Sequence, residues 1–307
     1  MDNAWDFYSQ NRGSIPLRRT KYNMKIYDCL LFNNEFDLLE VRLIETFDKV
    51  DQFVIVESDL TFTGKPKQLH LHNNWERFKP WADKITLLQG KGLDANNNPW
   101  VNEACSRESL GSGIIDANPE DYIMLSDSDE LYRASTFDLM KQHEELNYGF
   151  RIPYFSFKLN YLQTGPYPRP WWSAGCATRK SNLTNGIEAL RQQREMIGHN
   201  SGRVIGHAGW HFNNIGTDKE IREKLGSFSH EEVNTDEVLK RLNVEQLIER
   251  GEGLFPDATY HTVEFDNYFP ASMHADKWNK FVLSGSGNTR EIMKQYPAFA
   301  RYQSTTT

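Results

Sequence analysis

The chain has 307 residues, of which 38% are hydrophobic and 25% charged, with a formal net charge of −7. That balance describes an ordinary globular protein and argues against a nucleic-acid partner, which would call for a basic stripe. Cys29, Cys105 and Cys176 lie far apart with no CxxC spacing, which excludes a disulfide framework or a zinc knuckle.

Residues 1–22 read as a polar N-terminal arm without the apolar core of a signal peptide, and no run reaches the roughly 18 apolar residues of a membrane span. The expectation is a cytoplasmic or otherwise soluble chain with no transmembrane segment, folded as one domain over residues 23–307. Structure begins at "MKIYDCLLF", a strand. "NEFDLLEVRLIETFDKV" follows with Phe36, Leu39, Leu43 and Phe47 at helical spacing. "DQFVIVES" has the continuous apolar run of a strand covered on both faces. After the glycine- and proline-bearing loop "DLTFTGKPK" comes the Trp-rich "LHNNWERFKPWADK", and then a third strand, "ITLLQG". Residues 100–115 read as a helix ending near its glycines, and "DYIMLS" as a fourth strand. Strands alternating with helices predict an α/β fold with a mostly parallel central sheet and helices on both faces. Beyond residue 150 the pattern changes. "GFRIPYFSFKLNYL" reads as an antiparallel element and "QTGPYPRPWWSAG" as a loop. "GWHFNNIG" is a short strand and turn, "TDKEIREKLGSFSH" an amphipathic helix, and "TDEVLKRLNVEQLIERG" a further helix before a less regular tail.

The fourth strand runs straight into three carboxylates, "LSDSDELYRAS". In sheets of this kind ligands bind beyond the carboxyl ends of the strands. On an extended backbone Asp127 and Asp129 project to the same side, so the pair suits Mn²⁺ or Mg²⁺, a hard cation that shares its remaining positions with substrate phosphates. The alternative is a solvated acidic turn ahead of the next helix. An EF-hand is excluded because Leu131 and Tyr132 follow Glu130 where the loop needs a third Asp or Asn and a Gly. A phosphatase with a DxDx[TV] nucleophile is disfavoured by Leu131 and by the mid-chain position. His211, flanked by aromatics that should face the other way, is either a packed histidine or a nitrogen ligand suited to Mn²⁺. Lys65 and Lys67, beside a glycine turn, read as phosphate or ribose contacts or as a charged loop. Arg107 reads as a ligand contact or a surface arginine, and Trp171 and Trp172 as core or as a stacking wall for a sugar ring.

"IYDCLLFNNEFDLLEVRL", "VDQFVIVESDLTFTGKPK", "LSDSDE" and "GWHFNNIGTDKEIREKLGSFSHEE", in that order, resemble glycosyltransferase family 17 over roughly residues 24–235. The resemblance implies a GT-A-type fold with a nucleotide-sugar half (about 23–150) and an acceptor half (about 151–307). It also implies an inverting transferase that uses UDP-GlcNAc as donor and a glycan as acceptor. Asp127 and Asp129 would then hold the metal on the diphosphate with His211 as third ligand, and Glu57 and Asp59 would lie near the nucleoside. Inversion requires a base on the acceptor hydroxyl, for which Glu130, Asp218 and Glu220 are the candidates. The opposing expectation is a catalytically inactive protein that keeps the sugar-nucleotide pocket.

Overall fold

The computed structural model describes residues 24–165, 171–197, 202–227, 229–230, 235–254, 257–296 and 299. The N-terminal arm at 1–22 and the middle of the proline-rich stretch lie outside the described residues. Four strands, β1 (Ile26–Phe32), β2 (Gln52–Glu57), β3 (Ile85–Gln89) and β4 (Tyr122–Asp127), run parallel in the order β4-β1-β2-β3. Helix α1 (Phe36–Thr46) makes the first crossover. The short α2 (His70–Asn73) and a 3₁₀ segment, Trp75–Lys84, make the second, and α3 (Pro99–Ser109) the third. Asn98 caps α3, its side chain accepting the Trp100 N–H, and the helix tightens into a 3₁₀ turn at Leu110–Ile114. Alternate residues of β1 serve different layers: Ile26 and Leu30 pack with Leu39 and Leu43 of α1, whereas Tyr27 and Cys29 pack with Leu110 and Ile114. Burial on both faces is why the strands read as unbroken apolar runs.

The second half extends the same sheet antiparallel. Past β5 (Glu130–Tyr132) and α4 (Ala134–His143) come β6 (Asn147–Ser156), β7 (Tyr161–Gln163) and β8 (Trp171–Arg179). Strand β8 lies between β4 and β6, antiparallel to both, and so joins the two halves in one sheet. Helix α5 (Ile187–Gln193), β9 (Arg203–Gly206) and β10 (Gly209–Asn213) follow, then α6 (Asp218–Leu225), α7 (Asp236–Arg241), α8 (Val244–Arg250), β11 (Tyr260–Thr262) and α9 (Thr289–Lys294). Two expectations are corrected. Trp171 and Trp172 open a strand and do not belong to a loop. The helix expected across residues 235–251 is two helices, because the Asn243 side chain turns back to accept the Gln246 N–H and starts α8 afresh. No helix among the described residues is long and apolar enough to cross a membrane.

Where β4 ends, the chain is fastened from below by Arg42 of α1, which is fully buried. Its Nε and Nη2 reach both oxygens of the buried Asp28 on β1, at 2.7 and 2.5 Å. Nη1 donates to the carbonyls of Asp127 and Glu130, both at 3.0 Å, and Nη2 to the Ser126 hydroxyl. Replacing Arg42 by Met would leave Asp28 charged and alone in the core. The expected loss is about 3–5 kcal/mol, read from denaturant unfolding, and the double variant Asp28→Asn/Arg42→Met should recover much of it. A loss below about 1 kcal/mol in the single variant would show that the pair carries little.

Candidate active site

The acidic residues occupy a tight turn. Asp127 ends β4, Ser128 and Asp129 turn, and Glu130 begins β5. β5 pairs antiparallel with β10, placing His211 opposite Glu130, and the Phe212 N–H donates to the Asp129 carbonyl at 2.9 Å. The approach is close enough that a Cβ at Gly209 would stand 1.8 Å from the Leu131 carbonyl oxygen, so this position has no room for a side chain. Strand alternation buries Trp210 and Phe212 in the core and turns His211 the other way, toward Asp129.

The turn opens into a cavity of about 360 Å³ at the carboxyl ends of β1, β2 and β4, within the size range of small-molecule sites. Asp127 and Asp129 both line it, but the turn, unlike an extended strand, sends them to different cations. Asp127 Oδ2 accepts from Arg191 Nη2 at 2.8 Å, just past the middle of α5. Asp129 Oδ2 accepts from Lys224 Nζ at 2.8 Å, and Asp129 Oδ1 lies 3.4 Å from His211 Nε2. Burial by itself would raise the Asp129 carboxyl, but Lys224 and His211 outweigh it and hold the group well below the usual carboxylate range. The same partners act on Lys224: burial works against its charge, and Asp129 and Glu35 more than restore it. Lys224 reaches this position because a capping box at Thr217 and Glu220 fixes the start of α6, while buried Ile221 and Leu225 fix its inner face.

The residues expected to hold a metal are therefore only partly assembled. Asp129 Oδ1 and His211 Nε2 are spaced as two ligands of one ion can be, and His211 Nδ1 has no hydrogen-bond partner among the described residues. Asp127 is turned away onto Arg191. Among the described residues no group of three His, Cys, Asp or Glu side chains is arranged to hold a metal ion.

The base candidates each have another task. Glu130 is fully buried and accepts from the Asp127 N–H at 3.1 Å, the Gly175 N–H at 3.0 Å and Trp172 Nε1 at 2.6 Å. It pins the turn through the Asp127 N–H, as Arg42 does through the Asp127 and Glu130 carbonyls. Burial first, and then the Asp127 charge, push its carboxyl above the ordinary range. Glu220 accepts from the Thr217 N–H and hydroxyl at 2.7 and 2.8 Å as the helix cap, and Asp218 accepts from the Val244 N–H at 3.3 Å. Neither lines the cavity. The carboxylates that do are Glu35, Glu103, Asp127 and Asp129.

The nucleoside-side expectations divide in the same way. Glu57 is buried and accepts the N–H groups of Leu71 and His72 at the start of α2, which makes it a helix cap. Asp59 accepts from Gln89 Nε2 at 3.2 Å on the exposed side, and Lys65 is exposed and does not line the cavity. Lys67, two residues on, does line it, together with Ser58, Thr61 and Phe62. Arg107 pairs with Glu188 at 2.6 Å and with Glu103, and faces a second, more open cavity between α3 and α5. Trp171 and Trp172 part by strand alternation. Trp171 packs edge-on to His207, 4.5 Å between ring centres, in the core. Trp172 lines the cavity beside His211 and Tyr154, with ring centres 5.0 and 5.8 Å away. The reading from sequence missed Arg191, Arg194, Lys224 and Glu35.

The sequence profile of glycosyltransferase family 17 matches residues 15–265. The chain belongs to this family. The human β-1,4-mannosyl-glycoprotein 4-β-N-acetylglucosaminyltransferase (Homo sapiens) is 24% identical over 233 residues, covering 66% of this chain and 43% of the human protein. The rat protein of the same name (Rattus norvegicus) is also 24% identical, over 66% of this chain and 42% of its own length. This family 17 chain thus spans less than half the length of the curated relatives it matches. Among solved structures it is similar to the mannosyltransferase PcManGT from Pyrobaculum calidifontis, in complex with GDP-Man and Mn²⁺. There the identity is 11%, the coverage 66% of this chain and 60% of that chain, and the TM-score 0.39. It is also similar to glucosyl-3-phosphoglycerate synthase from Mycobacterium tuberculosis, in complex with Mg²⁺ and UDP, at 13% identity over 83% and 93% of the two chains with a TM-score of 0.37. Similarity at that level is too weak to carry a ligand or a residue role across.

His207, which supports Trp171, gives the fold a measurable pH signature. Burial first, and then the charges of Arg133 and Arg290, depress its imidazole from 6.5 to about 4. Between those values the unfolded chain holds a proton that the folded chain does not. The contribution of His207 is therefore complete above pH 6.5 and is lost as the pH falls toward 4. Over that window wild type should lose more unfolding free energy than His207→Asn; parallel pH profiles would contradict the assignment.

Proposed function

We propose that this chain is an inverting glycosyltransferase that moves N-acetylglucosamine from UDP-GlcNAc to a glycan hydroxyl. The observation that carries the reading is the acidic turn at the end of β4, opening into a cavity where each aspartate is paired with a cation, in a chain of family 17. The uridine and the GlcNAc rest on the distant N-acetylglucosaminyltransferase relatives.

On this reading the nucleoside lies toward the ends of β1 and β2, against Phe32, Ser58 and Phe62, and the diphosphate lies over the turn. The sugar and acceptor lie toward Trp172 and Tyr154, which offer flat aromatic faces to a pyranose ring. A divalent cation, Mn²⁺ or Mg²⁺, would be held by Asp129 and His211, and when bound it supplies positive charge to the departing diphosphate. Lys224 keeps the Asp129 carboxylate ionised and oriented at that point. Inversion takes place in a single displacement: the acceptor oxygen forms its bond to the anomeric carbon as the bond to the diphosphate breaks. The acceptor proton passes to one of the other carboxylates facing the cavity, Glu35, Glu103 or Asp127, in place of Asp218 or Glu220. Trp172 on one side and Lys224 and Leu225 of α6 on the other form part of the wall around that point.

Calorimetric titration tests the reading. Wild type should bind UDP-GlcNAc with Mn²⁺ present and more weakly in EDTA. Asp129→Asn, with its folding checked because the change leaves the buried Lys224 with Glu35 at 3.9 Å as its counter-charge, should lose the Mn²⁺ enhancement and the release of UDP in the presence of acceptor. Failure of both UDP-GlcNAc and UDP to bind wild type in either condition would remove the reading.

A further inference from the structure

The main cavity carries more buried cationic donors than it has acceptors for. Lys67 Nζ, Arg191 Nε, Arg191 Nη1 and Arg194 Nε are all buried, and none has a hydrogen-bond partner among the described residues. Lys67 Nζ lies 3.9 Å from Glu57 Oε1, beyond hydrogen-bond reach. Arg191 spends one nitrogen on Asp127 and leaves two unused. The Arg194 guanidinium carbon stands 5.9 Å from the centre of the Trp172 ring, which orients it without satisfying its N–H groups. All three side chains line the same cavity.

Folded proteins leave few buried polar groups unpaired, and a cluster of them at one place calls for an acceptor that comes from elsewhere. The acceptor has to be anionic, because all four donors belong to cations. It has to present several oxygens, because donors come from the β2–α2 loop on one side and from the end of α5 on the other. A single carboxylate offers two oxygens. A diphosphate offers enough to meet both sides, and guanidinium groups match phosphate oxygens in pairs.

We infer that Lys67, Arg191 and Arg194 form a cradle for a diphosphate, and that Asp127 holds Arg191 in place until the diphosphate takes it over. The proposal rests on the nucleotide-sugar reading for the identity of the ligand; the unpaired donors are independent of it. Arg191 exchanges its bond to the Asp127 carboxylate for one to a phosphate oxygen, and Asp127 is released toward Asp129. No covalent bond changes in this step. The arrangement assigns the acidic turn a second task, which is to keep a buried guanidinium compensated while the cavity is free of donor.

Inorganic pyrophosphate, titrated calorimetrically into the full chain in EDTA, tests this directly. Wild type should bind it. Arg191→Gln and Arg194→Gln should each weaken binding roughly 10-fold or more, since each removes charge-assisted bonds. Asp127→Asn, which frees Arg191 and relieves repulsion in the turn, should tighten it. If wild type does not bind pyrophosphate, or if both arginine variants bind it as wild type does, the cradle is wrong. Should pyrophosphate behave as expected while UDP and UDP-GlcNAc fail to bind, the cradle stands and the UDP-sugar reading falls. Should UDP bind Arg191→Gln and Arg194→Gln at full strength, the reverse holds.

Discussion

A guanidinium buried without water needs an acceptor for each of its N–H donors, and Arg42 finds them on three different strands. Asp28 on β1 takes two, Ser126 on β4 a third, and the carbonyls of Asp127 and Glu130 the remaining two. Its five donors are thereby used. The geometry is possible only if helix α1, the centre of the sheet and the turn after β4 keep fixed relative positions. The turn could not otherwise hold its shape, because it places Asp127, Asp129 and Glu130 within four residues and their charges oppose one another. Glu130 adds a second set of bonds by accepting three N–H groups, one from Asp127 at the end of β4 and two from β8. The carboxylates left facing the cavity are there because the backbone beneath them is clamped.

Charge compensation then explains the walls. Lys224 and Arg191 come from two different helices, α6 and α5, yet each ends on one aspartate of the turn. His211 arrives on β10, whose pairing with β5 depends on the absence of a side chain at Gly209. The aromatic side of the cavity follows from the same register, since β6 pairs with both β8 and β10 and so brings Tyr154, Trp172 and His211 together. Fold and site are continuous: the strand pairings that build the second half of the sheet also carry the groups that face the first half.

The parallel strands, the acidic turn and His211 were legible in the sequence because each has a local signal: an unbroken apolar run, a DxD at a strand end, a histidine between two core aromatics. The direction of the two aspartates was not, since the i, i+2 argument holds for extended chain and the strand stops at Asp127. Glu57 and Glu220 looked like site residues and became helix caps; a carboxylate beside a helix start looks the same in sequence whichever it serves. Arg191 and Arg194 lie on a short polar stretch, "IEALRQQR", with no local signal of a site, and the packing of that helix against α3, β8 and β4 is what buries their inner nitrogens. Lys224 did leave a trace. It lies three residues after Ile221 and directly before Leu225, on the inner side of an amphipathic helix where a cation needs a partner.

Amide hydrogen exchange of the full chain with and without UDP-GlcNAc and Mn²⁺ tests the central claim most directly, namely that the cavity over the β4–β5 turn is the donor site. The account predicts slowed exchange in three segments that line it: residues 31–35 at the end of β1, residues 58–62 after β2, and residues 127–129. It predicts no change in α9, which lies away from the cavity. Slowed exchange confined to other segments, with these three unchanged, would contradict it.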